Sequence, residues 1–216
     1  MATLTVYDAS KGGRLYYQHA VYATAHNFGT ASSFVQTEAS VGQRPPGSTY
    51  GIWRSAALFD TSSVPSGSAV TLAQLSLYGV TDNSTDDFDI VIRNGQPARP
   101  SDPVVQGDYD CTFYAGDGGS INSSACVVGS YNTITMNATG RGWINCGGTT
   151  KLMLISQEDI DSSAPTANEY FVFEGPTHGG GNDPKLYLEY TSPSAVPAHP
   201  ALSLPLVPTR PFGKQL

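Results

Sequence analysis

The sequence is poor in charge. Asp, Glu, Lys and Arg make up 13% of its 216 residues, with 11 basic against 18 acidic side chains and a formal charge of −7. A surface of that sign repels phosphate, which argues against nucleic acid and anionic membranes as partners. Apolar runs are short too, and none approaches the roughly eighteen residues that a membrane-crossing helix needs. The opening stretch, residues 1–13, carries no basic-then-apolar leader. The expectation is a chain that follows a removed signal or leaves the cell by another route, such as a particle released by lysis. No CxxC pair occurs, and none of the four histidines, His19, His26, His178 and His199, has a companion at metal-ligand spacing. A zinc site is therefore not expected. A G-x-S-x-G elbow is also missing, so nothing local supports serine hydrolysis, and a non-enzymatic protein is expected. Sustained helical periodicity is absent from every window of about a dozen residues.

Glycine (23), proline (15) and tyrosine (12) are abundant, as short strands joined by tight turns require. Period-two alternation dominates. Phe88, Ile90 and Ile92 share one face against Asp89, Val91 and Arg93. Leu75 and Leu77, Leu152 and Leu154, and Leu186, Leu188 and Tyr190 alternate in the same way. Turn-rich stretches, including residues 64–67, 81–84 and 178–184, separate these runs. The pattern predicts an all-β fold, a single antiparallel β-sandwich over residues 1–191. Beyond it, residues 192–216 hold six prolines and are expected to form an extended arm. Leu202, Leu204, Leu206, Val207 and Phe212 make that arm too apolar for a solvated linker and suit it to pack on a neighbouring subunit.

Three stretches carry a family resemblance: residues 23–30 (ATAHNFGT), residues 53–65 (WRSAALFDTSSVP) running on through Ala73–Tyr78, and the set 150–154, 165–169 and 184–190, which closes on PKLYLEY. Together they resemble the disaggregatase-related (DNRLRE) β-sandwich domains. These are jelly-roll modules of secreted bacterial and archaeal proteins and of phage structural proteins, and several act as carbohydrate-binding modules. The R-x(4)-F-D-x-S-x-x-P block from Arg54 to Pro65 is the most specific element, and the likeness runs over residues 20–191. It implies a jelly-roll sandwich in which Phe59 and Leu75 are core, Asp60 and Pro65 end a strand and start a turn, and Gly29 sits in a turn. No catalytic or ligand set comes with the family. Unlike family members with a linked hydrolase, lyase or anchoring domain, the chain is expected to stand alone.

Candidate sites are few. Asp86 and Asp87, in the acidic stretch 82–89, are the residues that would ligate calcium, although the spacing is not that of an EF-hand loop and acidic turns are ordinarily just solvated. Tyr109, Tyr114 and Tyr131 flank the Gly/Ser-rich stretch 115–130 and are expected at the surface, for glycan or subunit contact. Trp53 and Trp143 stand in strand-like stretches, where core packing is the better expectation than a sugar platform. His26 is most simply a structural hydrogen-bonding residue. Cys111 and Cys126 bracket the Gly-rich loop and could close it with a disulfide, leaving Cys146 free; the alternative is three buried thiols. The sequons at Asn83, Asn122 and Asn137 match what the Ser and Thr content gives by chance and carry no compartment information.

Two functions fit. One is a virion structural protein, capsid-decorating or tail-associated, that assembles as a homo-oligomer or on a major capsid or tail protein through the sandwich and the arm. The other is a carbohydrate-binding or adhesion module of a secreted or cell-surface protein.

Overall fold

The computed structural model describes residues 1–8 and 11–193. Chain order is β1 (Ala2–Tyr7), β2 (Gly13–His19), α1 (Tyr22–His26), β3 (Ser33–Val35), β4 (Glu38–Arg44), β5 (Tyr50–Asp60), β6 (Ala69–Asp82), β7 (Asp89–Arg93), β8 (Ser120–Asn122), β9 (Tyr131–Thr135), α2 (Ala138–Arg141), β10 (Thr149–Ser156), α3 (Gln157–Ile160), β11 (Glu169–Glu174) and β12 (Lys185–Thr191). Every strand pairing is antiparallel. The helices are single turns, too short to show a helical period in the sequence.

The strands follow the order β1-β12-β6-β11-β4-β5-β10-β7-β8, with β9 on β6 and β2 on β5. Through residues 74–78 β6 holds β9 and through 69–76 β12, while through 79–82 it turns to β11. One long strand thus passes from the first layer to the second, and the sheet curls over itself into a β-sandwich. Between the layers, Ala73, Leu75, Leu77, Ile134, Leu186 and Leu188 meet Val41, Ala57, Phe59, Ile90, Ile92, Leu152, Leu154, Phe171 and Phe173. The alternating residues of β6, β7, β10 and β12 all point into this core, and Phe59 and Leu75 are fully buried there. The ring or branched side chain of each contributes about 1.5–3 kcal/mol through burial.

A second core covers the outer face of the second layer. Leu15, Ile52, Ala56, Leu58, Met153 and Ile155 project there from β2, β5 and β10. They are capped by Ala25 of α1, Ala31, Val104, Tyr109 and Tyr114. β5 and β10 are therefore buried on both faces, which is why residues 56–59 and 152–155 read as unbroken apolar runs.

Asp8 joins the first layer to the second. Its Oδ1 accepts from Lys11 N (3.2 Å) and Gly12 N (3.1 Å), and its Oδ2 from Leu58 N (3.0 Å). Burial outweighs these bonds and pushes the carboxyl up to about 6. Replacement by alanine leaves three backbone donors unmatched, each worth about 1–3 kcal/mol when buried. Asp8→Ala should lower the unfolding free energy by about 3 kcal/mol or more, and Asp8→Asn, which keeps one acceptor, by less. Equal stability of Asp8→Ala and the parent in urea titrations would show that the carboxylate is dispensable.

Candidate functional site

Arg54 points from β5 into the second core with none of its surface exposed. Its Nε donates to Asp159 Oδ2 (2.7 Å), and its Nη2 to Asp159 Oδ1 (2.9 Å) and to the His26 carbonyl (2.9 Å). Nη1 donates to the Tyr109 carbonyl, and the guanidinium lies 4.2 Å from the centre of the Tyr109 ring. One side chain so ties β5 to α1, to α3 and to the turn at residues 106–109. On the other side of Asp159, His26 Nδ1 stands 2.8 Å from Oδ1. That hydrogen bond and the nearby Cys111 raise the imidazole to about 9 against the opposing effect of burial. Burial pushes the Asp159 carboxyl up, but Arg54 and His26 outweigh it and hold the group below its ordinary value.

The same histidine presents Nε2 to the exposed Ser162, 3.0 Å from Oγ, and to Cys111 Sγ at 3.9 Å. Ser162, His26 and Asp159 thus have the connectivity of a catalytic triad. Local chemistry gives the arrangement a different character. Ser162 has φ 56°, the left-handed residue that ends α3. Its amide donates to the Asp159 carbonyl and that of Ser163 to the Glu158 carbonyl, so both amides are committed to the helix cap and not to an oxyanion. An imidazole titrating near 9 is an imidazolium at neutral pH and has no lone pair with which to accept the serine proton. The cluster holds three segments together, with His26 hydrogen-bonded to Asp159 within it.

A different face of the second layer carries an aromatic row. Tyr16 on β2 lies opposite Trp53 on β5, Trp53 opposite Gly42 on β4, and Gly42 opposite Tyr170 on β11. Gly42 has φ 121°, and a Cβ there would fall 1.9 Å from the Glu169 carbonyl oxygen. With no side chain between them, Trp53 and Tyr170 stack across it at 4.3 Å, and Tyr16 stacks on the other side of Trp53 at 4.9 Å. Arg44 lies 5.9 Å from the Trp53 ring and donates through Nη2 to Tyr16 Oη and Gln18 Oε1, both at 3.2 Å. Its buried Nε has no hydrogen-bond partner in the protein. Arg14 and Glu38, 3.2 Å apart, border the same row.

The other residues singled out in the sequence fare unevenly. Tyr109 and Tyr114, expected at the surface, are buried in the second core, where their hydroxyls donate to the Ala25 and Asp108 carbonyls; the segment that carries them folds back to cap a sheet face. Tyr131 is half-buried, with Lys185 Nζ 3.6 Å from its ring centre and its hydroxyl on the Asp183 carbonyl. Trp53 is buried as expected, at 8% exposure, but belongs to neither core and stands in the aromatic row. Trp143, read as a strand residue, follows α2 and is half-buried. All three cysteines are unpaired thiols. Cys111 packs on the second core and Cys126 on the first, on opposite faces of the sheet, so the disulfide suggested by the loop between them does not form. Asp86 and Asp87 are exposed, and Asp87 accepts from Ser123 Oγ at 3.3 Å. Among the described residues no group of three or more His, Cys, Asp or Glu converges as a cation site would need. The arm residues Leu202, Leu204, Leu206, Val207 and Phe212 lie outside the described residues. No distinctive local pattern marked the Arg54–Asp159 pair, whose partners are 105 residues apart.

The raised imidazole makes stability depend on pH. A histidine titrating near 9 when folded and near 6.5 when unfolded stabilises fully below about 6.5 and loses that contribution as pH rises through 9. The melting-temperature gap between the parent and His26→Gln should therefore be largest near pH 6 and shrink towards pH 9.5, corresponding to about 1–3 kcal/mol. A gap that does not change over this range would rule out an imidazolium at this position.

No protein-family model matches the chain, and no curated protein matches it either.

Proposed function

We propose that this chain is a non-enzymatic binding module of a virion or cell surface, of the disaggregatase-related jelly-roll kind, and that it holds a glycan against the Tyr16–Trp53–Tyr170 row. The observation that carries the reading is that row. The stack, laid across four strands by Gly42, holds the buried Trp53 rigidly between Tyr16 and Tyr170, and these two half-buried tyrosines are the rings that would meet the C–H face of a pyranose. Around it Arg14, Gln18, Glu38 and Arg44 supply planar donors and acceptors for hydroxyls.

A glycan array on the parent chain and on Tyr16→Ala/Tyr170→Ala tests this. The parent should retain at least one glycan class, and the double variant should lose about tenfold or more in affinity, as truncation of central aromatic anchors does. An array blank for the parent, or unchanged in the variant, would overturn the reading.

Assembly on a particle is the second reading, with a capsid or tail protein or further copies of the chain as partner. Within the described residues it is favoured by β1, which pairs with β12 alone and so presents an open edge to another chain. Light scattering should find the full chain multimeric and a chain ending at Thr191 monomeric; two monomers would remove the arm as an assembly device.

A further inference from the structure

A cleft of about 370 Å³ opens beside Trp143, and it shares no residue with the aromatic row. That volume falls at the lower end of the roughly 300–1,000 Å³ typical of small-molecule sites. The indole is pinned from behind. A Cβ at Gly116 would fall 2.8 Å from its Cζ2, and one at Gly118 would fall 2.3 Å from its Cζ3, so only a bare backbone lets the ring lie where it does. Gln96 ties the two walls together: its Nε2 donates to the Trp143 carbonyl (2.9 Å), and its Oε1 accepts from the Lys151 amide (3.1 Å). The site is therefore preformed, which lowers the ordering cost of binding.

Its polar lining is of one character. Asn94, Asn145 and Thr149 offer amide and hydroxyl groups, and Lys151 is the one charged residue among the described residues that line the cleft. Lys151 Nζ makes one bond, 3.3 Å to the Pro97 carbonyl, and an ammonium has three protons to give. Asn145 donates its amide to the Thr149 carbonyl, which leaves its own oxygen available to a hydroxyl. Asp60 stands exposed opposite Thr149 on the neighbouring strand, but Lys151 is the charge on the lining itself, where an anionic group of a ligand would meet it directly.

We infer that this cleft binds a single pyranose unit carrying a carboxylate, such as a uronic acid, with a C–H face on Trp143 and the carboxylate on Lys151. The site is independent of the sheet-face row, and either can fail without the other.

The chain has two tryptophans, so its ¹⁵N-labelled spectrum contains two indole N–H signals, which Trp53→Phe assigns. Titration with D-glucuronate should move the Trp143 signal saturably and leave that of Trp53 in place. D-glucose should bind about tenfold more weakly, and Lys151→Met, a half-exposed position where folding is not at stake, should weaken glucuronate by a similar factor, the worth of one hydrogen bond to a charged group. No saturable movement of the Trp143 signal would overturn the site. Equal binding of glucose and glucuronate, or an unaffected Lys151→Met, would overturn the acidic sugar as its ligand. Movement of the Trp53 signal alone would place binding on the row instead.

Discussion

A guanidinium with no exposed surface is costly to bury unless nearly every donor is matched and its charge is met at contact distance. Arg54 satisfies both conditions by drawing on parts of the chain that have little else to hold them. Tyr22–His26 and Gln157–Ile160 are single helical turns with no stability of their own in water. The 106–109 turn is likewise a single turn of four residues. Each delivers one oxygen-bearing group to the same side chain, so the cap over the second core closes as a unit. Losing one member of such a pair costs about 3–5 kcal/mol because the other is left buried and uncompensated. The gain in specificity is geometric: a planar fork accepts a carboxylate in one orientation, and that orientation aims His26.

The two candidate binding surfaces share a building principle. In each, a large aromatic ring goes where a glycine leaves the space. Gly42 lets Trp53 and Tyr170 meet across an intervening strand, and Gly116 and Gly118 let Trp143 lie on the backbone of a loop. Gly51 does the same on a smaller scale, bringing Tyr16 Oη and Arg44 Nε to within 2.9 Å of where a Cβ would stand. Rings seated in this way lose little side-chain freedom on meeting a ligand, because the protein has already confined them.

How much of this could be read in the sequence follows from which surfaces are buried once. Strands β6, β7 and β12 have one face in the first core, so their alternation is plain, and Leu75, Ile90 and Leu188 lie on the shared faces that it marks. Strand β5 has two buried faces, and its run from Gly51 to Phe59 carries no alternation to read. The second core was invisible for the same reason, and with it the burial of Tyr109 and Tyr114. Arg54 stood out as part of the R-x(4)-F-D block, but Asp159 lies far along the chain in an ordinary helix-capping context, and pairings of that separation leave no local mark. The aromatic row is cross-strand by nature: Tyr16, Trp53 and Tyr170 become neighbours only when the register is known.

The double burial of β5 also bears on how the chain can vary. From Ile52 to Phe59 each side chain faces one core, the ion network or the aromatic row, or, for Ser55, the Ser40 carbonyl, and only Asp60 at the end is exposed. A substitution along this strand therefore perturbs a packed surface whichever way it points. β1 alternates half-buried with exposed positions, and β12 alternates half-buried with buried ones and exposes Thr191 at its end. Sequence drift should therefore collect on that outer layer while the shared strand stays nearly constant, and a new interface would arise most readily on the side of the molecule that is free to change.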